Sequence, residues 1–379
     1  MYELTRRSFL KQSSKHHYVP QWYQKRFLLD GQSAYFALDL SPEVITKPDG
    51  TQIEKGKILT KGPAKLFYEV DLYTTNFFGR SNDDIERLLF GKIDTEGAAA
   101  VAALTHPNWM TELRNKIIDF YEYMDAQWLR TPKGLRWLMQ YTKANDQNDL
   151  LFKMQKIRRL HCTMWAEASM EIVGANNSDT KFIVSDSPIT FYNSVFYPGH
   201  PKCKFPSEPH MALKGTRTIF PLDLNHCAIL THIEFARSPG KFKADQVRTN
   251  PRLFDDTLIN YSKIIKDREL NEQQVLAINY ILKKRATKYI AAAQKDWLFP
   301  ERQLKKMDWG SFDKIFQSKS TNLLGVGGEI FIGGKNGSLI ATQDEFGRKP
   351  KNKAEWDEKQ KQAKAMYDHF QKLMRREIL

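Results

Sequence analysis

The sequence predicts an α+β fold, in which a helical layer packs on a small mixed β-sheet and a C-terminal hairpin and helix form an appendage. Three observations predict it. Short segments with alternating apolar residues fill residues 13–75, and long segments with helical periodicity fill the middle of the chain. Beyond Pro300 the composition becomes rich in glycine and charged residues. We therefore expect one α+β domain over residues 1–295 and an appendage over residues 296–379.

The N-terminal region is predicted to form strands and turns, followed by a first helix. Apolar side chains alternate from Ala34 to Leu38, and Asp49-Gly50 is typical of a turn. Ser81 or Asn82 can cap a helix that begins near Asp83. The apolar stripe of this helix consists of Ile85, Leu88, Leu89 and Ile93.

The middle of the chain is predicted to be mainly helical. Periodic apolar residues indicate helices over Met110–Leu129 and Gly134–Val173, separated by the break at Thr131-Pro132. Phe182–Val184 and Cys227–Leu230 are short apolar runs that we interpret as buried strands. The proline-rich segment between them is predicted to be a loop over residues 193–214.

The C-terminal region is predicted to contain two helices separated by a hairpin. Apolar periodicity indicates a helix over Glu272–Gln294, and Asn336-Gly337 is a favoured hairpin turn. The glycines around this turn lack the spacing of a phosphate-binding loop. The charged segment from Lys353 to Leu379 has a narrow apolar seam, so its helix either docks on its own domain or pairs with a second copy as a homo-oligomer.

The composition is that of a folded and strongly basic protein. The formal net charge is +14 and the pI is about 9.4, which favours polyanions, so DNA or RNA is the expected partner. The chain has 3 cysteines, an odd number that fits reduced thiols better than a disulfide framework. No apolar run is long enough to span a membrane, so we expect a cytoplasmic protein without a membrane partner.

One segment resembles a known family. The residues from His16 to Phe27 read HHYVPQWYQKRF, and this string resembles the N-terminal signature of a bacterial family known as domain of unknown function 4238. Weaker matches occur at residues 86–96, 127–132, 182–188 and 220–222 and near Asn279, so the resemblance extends over roughly residues 13–293. The family carries no activity that the resemblance could imply, so any chemistry has to be argued from residue types.

His16 and His17 are the first candidates for catalysis. Neutral imidazole is a base and a metal ligand near neutral pH, but adjacent histidines in a strand point to opposite faces. The structural alternative is that both brace the helical layer through hydrogen bonds. The His-x-Val-Pro string also resembles ββα-metal nucleases, although no following helix supplies the histidine that those enzymes use.

Three further polar residues are catalytic candidates. Asp186 follows an apolar strand and precedes Pro188, so its carboxylate either belongs to an active site or accepts backbone N–H groups in a turn. Gln127 and Arg130 are three residues apart and therefore share a helix face. The guanidinium either clamps a phosphate or forms a buried ion pair with Glu86 or Asp186.

Two sets of residues are candidates for metal binding. Glu86 and Glu96, the acidic pair of the first helix, are the candidate ligands of a divalent metal, Mg²⁺ or Mn²⁺. A histidine and cysteine set also has partial zinc spacing, but adjacent residues on a strand cannot both turn inward. This second set consists of His200, Cys203, His210, His226, Cys227 and His232.

The leading functional hypothesis is a nucleic-acid-directed phosphodiesterase, similar to a nuclease and with or without a divalent metal. In it, His16 or His17 acts as base or ligand, Asp186 and Glu96 supply carboxylates, and Arg130 holds phosphate. The alternative is a non-enzymatic nucleic-acid-binding or assembly module in which the same residues support the core. Antiphage defence would suit either class, although no residue points to it. The two classes differ in whether those side chains converge around an open cleft.

Overall fold

The computed structural model describes residues 15–77, 80–82, 85–238, 240–248, 261–316, 329–344 and 348–376. Its N-terminal region consists of short strands, as the alternation predicts. The turn between the third and fourth strands contains Gly50, whose φ of +82° favours glycine. The elements are β1 (Lys15–His17), α1 (Gln21–Lys25), β2 (Tyr35–Asp39), β3 (Glu43–Thr46), β4 (Gln52–Lys55), β5 (Ile58–Lys61), β6 (Tyr68–Val70), β7 (Thr75–Phe77) and β8 (Arg80–Asn82).

A helical layer follows, as predicted, but its helices are shorter than the periodicity suggested. It begins with a π-helical turn over Ile85–Phe90. Left-handed backbone at Lys143 and Arg159, with φ of 51° and 70°, interrupts the predicted run after residue 134. The helices are α2 (Gly91–Thr105), α3 (Trp109–Leu113), α4 (Ile117–Leu129), α5 (Pro132–Thr142), α6 (Gln147–Lys156) and α7 (Cys162–Glu167).

The prediction of a helix that extends to Val173 is wrong at its C-terminal end, because residues 168–174 form strand β9 (Ala168–Gly174). All seven of its residues are buried, and it pairs with a strand on each side. A short apolar run buried on both faces has no two-residue alternation, so periodicity could not separate it from the end of a helix.

Two larger sheets organise the described residues. The first has the order β11-β12-β13-β9-β14, and it is antiparallel except for the parallel pair β9 and β14. The second is antiparallel with the order β10-β15-β2-β5. These mixed sheets and the helical layer confirm the α+β class. The new elements are β10 (Val184–Ser185), β11 (Thr190–Tyr192), β12 (Arg217–Pro221), β13 (His226–His232), α8 (Ile233–Arg237), β14 (Ile264–Glu269), α9 (Glu272–Arg285) and β15 (Tyr289–Ala292).

The helix predicted over residues 272–294 is also too long. It ends at Arg285, and Ala286 has extended backbone with ψ of 153° that leads into β15. The carboxylate of Asp186 accepts hydrogen bonds from the N–H groups of Thr287, Lys288 and Tyr289 in this connection. A contact from a distant strand therefore fixes the end of the helix, which local periodicity does not reveal.

The core lies between the helical layer and the five-stranded sheet. The rings of Phe120 and Tyr123 on α4 lie 6.0 and 6.1 Å from the ring of Phe220 on β12. Trp309 and Phe316 join the same core, although both follow residue 295. The boundary near residue 295 stays a prediction, and the core packing extends beyond it.

The C-terminal hairpin and helix form as predicted. Strands β16 (Glu329–Gly333) and β17 (Leu339–Asp344) are antiparallel, and Asn336-Gly337 has positive φ of 61° and 75° in the turn. Helix α10 (Lys353–Arg376) docks on this hairpin, where Gln360 Oε1 accepts the N–H of Leu339 at 2.8 Å. The docking alternative is therefore observed, and pairing with a second copy stays a prediction.

None of the helices in the described ranges is both long and apolar enough to cross a membrane.

Candidate functional site

His16 lies on β1 and is fully buried. Its Nδ1 atom accepts a hydrogen bond from the N–H of Tyr73 at 2.9 Å. The two rings stack almost in parallel, with centroids 5.5 Å apart and an interplanar angle of 4°. The imidazole therefore braces the chain after β6, as the structural alternative for this residue requires.

His17 faces the opposite side of β1 and is half-buried, as strand geometry predicts for adjacent residues. Its ring lies 5.5 Å from that of Tyr68 on the neighbouring strand. Burial lowers the pKa of His17, although interactions with the backbone of Ala64 and Pro63 oppose that shift. The side chain is therefore neutral at pH 7.

Gln127 and Arg130 share the buried face of α4 and bind each other. Gln127 Oε1 accepts from Arg130 Nε at 2.9 Å, and Gln127 Nε2 donates to the carbonyl of Tyr18 at 2.9 Å. The hydroxyl of Tyr73 donates to the carbonyl of Arg130 at 2.5 Å, which connects His16 to this pair. Both polar side chains therefore join α4 to the segment that contains His16 and Tyr18.

Asp94 is an acidic partner of Arg130 that was not among the residues predicted from the sequence. Arg130 Nη1 lies 2.8 Å from Asp94 Oδ1. Of the two expected partners, Asp186 instead accepts backbone N–H groups, and the side chain of Glu86 lies outside the described residues. Burial raises the pKa of Asp94 although the charge of Arg130 opposes that shift. We name His16, Tyr73, Asp94, Gln127 and Arg130 the signature cluster.

Asp186 serves a turn. Its buried carboxylate accepts N–H groups of Thr287, Lys288 and Tyr289, with distances from 2.5 to 3.2 Å. Burial raises the pKa of Asp186, and the three backbone hydrogen bonds oppose that shift. These contacts match the turn-forming alternative for this residue.

Of the two predicted metal ligands, the structure describes the side chain of Glu96. Glu96 is partly exposed and lies 3.6 Å from Lys92 one helical turn earlier. The side chain of Glu86 is outside the described residues. Among the described side chains, no group of three or more His, Cys, Asp or Glu residues is arranged to hold a metal ion.

The histidine and cysteine set is dispersed in the same way. His226 Nδ1 lies 2.9 Å from Asp223 Oδ1, and His200 Nδ1 accepts the N–H of Lys202. All three cysteines are buried, and burial raises the pKa of the Cys227 thiol. These residues support separate turns and strands instead of one zinc site.

A different region of the described structure forms an open cavity of about 150 Å³. The ring centroids of Trp128 and Trp137 are 4.7 Å apart, and Tyr141 stacks on Trp137 at 4.9 Å. We name this feature the aromatic cavity. Its lining includes Trp128, Trp137, Tyr141, His161, Phe191 and Glu208.

Two buried polar pairs border the aromatic cavity. His161 Nδ1 lies 2.9 Å from Asp125 Oδ1, and the same carboxylate accepts the N–H of Arg159 at 2.6 Å. Glu208 Oε1 accepts from Lys133 Nζ at 2.8 Å. The other carboxylate oxygen of Glu208 is buried and has no hydrogen-bond partner among the described residues. An unsatisfied acceptor beside aromatic walls is the feature expected of a ligand site.

The cavity could not be predicted from the sequence, because its lining residues are far apart in the chain. Trp128 lies in the last turn of α4, Trp137 and Tyr141 lie on α5, and His161 precedes α7. Glu208 belongs to the proline-rich loop. The one local signal is the spacing of Trp137 and Tyr141, which puts two aromatic rings on one helix face.

The comparison with known families bears on the first part of the chain. Residues 15–170 match the model of the family described as protein of unknown function (DUF4238). This match confirms the resemblance over that segment, which holds the signature cluster and most of the aromatic walls. Asp186 and Glu208 lie beyond it, and the resemblance predicted for later residues stays a prediction. No curated protein and no solved structure has a significant match to the chain.

Proposed function

We propose that this protein is a nucleic-acid-binding module, in which the signature cluster supports the core and a separate surface contacts nucleic acid. One observation carries the proposal. The side chains of Gln127 and Arg130 bind each other and Asp94, while Asp186 binds three backbone N–H groups. The contacts of these groups lie within the protein, which favours a supporting role over hydrolysis.

The contact surface that we propose lies on α5 and α6. Tyr141 and Phe152 are large aromatic residues with 62% and 57% exposure. Lys156 Nζ lies 4.4 Å from the centre of the Phe152 ring, and Lys143 and Arg136 are exposed on the same helical pair. Exposed aromatic rings between cations are typical of surfaces that bind single-stranded nucleic acid, because bases stack while cations contact phosphates.

The net charge supports the same partner. A formal charge of +14 attracts polyanions and accelerates encounter with them at low salt. Each lysine that contacts a phosphate of a single strand changes the slope of log affinity against log salt by about 0.7. The salt dependence of the affinity should therefore reveal the phosphate contacts of two lysines of this surface, Lys143 and Lys156.

The test measures the affinity of fluorescent single-stranded and duplex oligonucleotides, as DNA and as RNA, between about 50 and 200 mM salt. We expect single strands to bind more tightly than duplexes. In the double variant Lys143→Gln, Lys156→Gln, the magnitude of the slope of log affinity against log salt should decrease by about 1.4. The matched control is Lys55→Gln, Lys65→Gln, which removes the same charge from exposed positions of the N-terminal region. Absent binding at low salt, or equal effects of the two variants, would overturn the proposal.

The same oligonucleotides test the hydrolase alternative, in which a divalent metal assists His17 and Asp186. They are incubated with Mg²⁺, Mn²⁺ or EDTA and separated by electrophoresis. Metal-dependent cleavage by the wild type that is lost in folded His17→Ala and Asp186→Ala variants would establish the phosphodiesterase. We expect intact oligonucleotides in all three conditions.

A further inference from the structure

The aromatic cavity has the size and walls for one flat ring. Trp128 and Trp137 meet edge to face, and Tyr141 extends the wall outward with 62% exposure. Its volume is about 150 Å³, and an apolar cavity of roughly that volume takes up benzene in another protein. The opening beside exposed Tyr141 lets a larger ring system or an attached chain extend outward.

The charges at the cavity favour a neutral ring over an ion. Glu208 has a side-chain exposure of 2% and is already paired with Lys133. Asp125 receives two backbone N–H groups in addition to His161. Neither arginine nor lysine is among the residues that line the cavity in the described structure, so a phosphate would lack a partner inside it.

Glu208 provides a carboxylate acceptor at the cavity, and this acceptor favours a ligand that donates. Glu208 Oε2 is buried without a hydrogen-bond partner in the described part of the chain. Adenine, cytosine and guanine carry exocyclic amino groups that would satisfy this acceptor, whereas the exocyclic polar groups of uracil and thymine are carbonyl oxygens, which cannot donate.

We infer that the aromatic cavity binds one unstacked nucleobase of a single strand and selects bases that carry an exocyclic amino group. This inference rests on the proposed function, because the strand that delivers the base is held on the α5 and α6 surface. Tyr141 belongs to both features, so a strand that stacks on it can direct the next base inward. In this arrangement Trp128 and Trp137 supply stacking, while Glu208 supplies selectivity.

The test uses thymine oligonucleotides whose central position is thymine, adenine, cytosine, guanine or an abasic sugar. We expect binding with a central amino-bearing base to be roughly 5- to 150-fold tighter than with thymine or the abasic sugar. Glu208→Gln should reduce this preference to a few-fold, since a neutral amide presents a donor as well as an acceptor. The matched control is Glu301→Gln, because Glu301 is likewise paired with a lysine, at 2.8 Å from Lys283, and does not line the cavity.

The outcomes separate this inference from the function on which it rests. Equal affinity for the abasic and the amino-bearing oligonucleotides, with salt-dependent binding intact, would overturn the cavity assignment and leave the proposed function standing. Absent binding of every oligonucleotide would overturn both.

A second measurement follows tryptophan fluorescence during titration with free cytidine and with tetramethylammonium chloride. Quenching by cytidine that Trp137→Leu abolishes would support the assignment. Saturable quenching by tetramethylammonium alone would overturn it in favour of a cation site, which aromatic walls can also form. Thermal melting of each variant establishes that it is folded.

Discussion

The last turn of α4 contributes to two regions that use polar groups in opposite ways. Gln127 and Arg130 enter the signature cluster, where they bind each other, Asp94 and the backbone of Tyr18. Trp128, between them in sequence, points to the aromatic cavity, where Glu208 keeps an oxygen without a partner in the described residues. The comparison teaches that residue chemistry alone does not mark a site. A candidate site is marked by an unsatisfied polar atom together with a cavity that a ligand can enter.

The largest expected effect distinguishes a structural cluster from a functional one. Arg130→Met should lower the free energy of unfolding by about 3–5 kcal/mol, because it removes a buried guanidinium from partly buried Asp94 and from buried Gln127. Urea unfolding measures this loss. Arg136→Met, at an exposed position of α5, should change the free energy by no more than about 0.5 kcal/mol. A loss below about 1 kcal/mol for Arg130→Met would contradict a structural role for the cluster.

The packing that supports the cluster should also be sensitive to one methyl group. A Cβ atom at Gly97 of α2 would lie 2.4 Å from the ring of Tyr123, whose hydroxyl donates to Gln127. Gly97→Ala should therefore cost about 1–3 kcal/mol of unfolding free energy through overpacking. Lys92→Ala, at an exposed position of the same helix, is the control and should be close to neutral. Equal unfolding midpoints of the two variants would show that α2 and α4 adapt to the extra atom.

The cavity should respond in affinity more than in stability. Trp137→Leu should weaken binding of single strands by roughly 5- to 150-fold, since one stacking partner is lost. Trp137 is half-buried, and leucine keeps an apolar side chain against Trp128. Fluorescence anisotropy measures the affinity. Trp109→Leu replaces another half-buried tryptophan that does not line the cavity, and it should bind as the wild type does.

The smallest expected effect is the pH dependence of stability that His17 causes. Burial lowers the pKa of His17 below 6.5, so the unfolded chain binds more protons than the folded chain at acidic pH. Its contribution to stability is complete above pH 6.5 and decreases as the pH falls through that value. His17→Gln should therefore lose less stability than the wild type between about pH 7.5 and 5.5.

The control for this pH experiment is His106→Gln, which replaces an exposed histidine and should follow the wild type. Urea unfolding at both pH values gives the differences. Identical pH dependence of the wild type and His17→Gln would mean that burial at His17 does not penalise its charged form.

Several parts of the fold could be predicted because local chemistry decides them. Alternation identified β2, positive φ at Gly50 and Gly337 fits the two predicted turns, and adjacent histidines were expected on opposite faces. The errors arose where distant contacts override local pattern. β9 was taken for a helix end because burial on both faces removes its alternation.

The candidate residues show the same division. The sequence alone determined the class of the fold, the family resemblance, and the side chains that could carry charge or donate hydrogen bonds. Only the tertiary structure decided that Arg130 pairs with Asp94, that Asp186 holds backbone N–H groups, and that Glu208 meets Trp128. The physical reason is that a polar group's role depends on which partners surround it after folding. Those partners come from segments that are distant in the sequence, so local periodicity does not predict which of them meet.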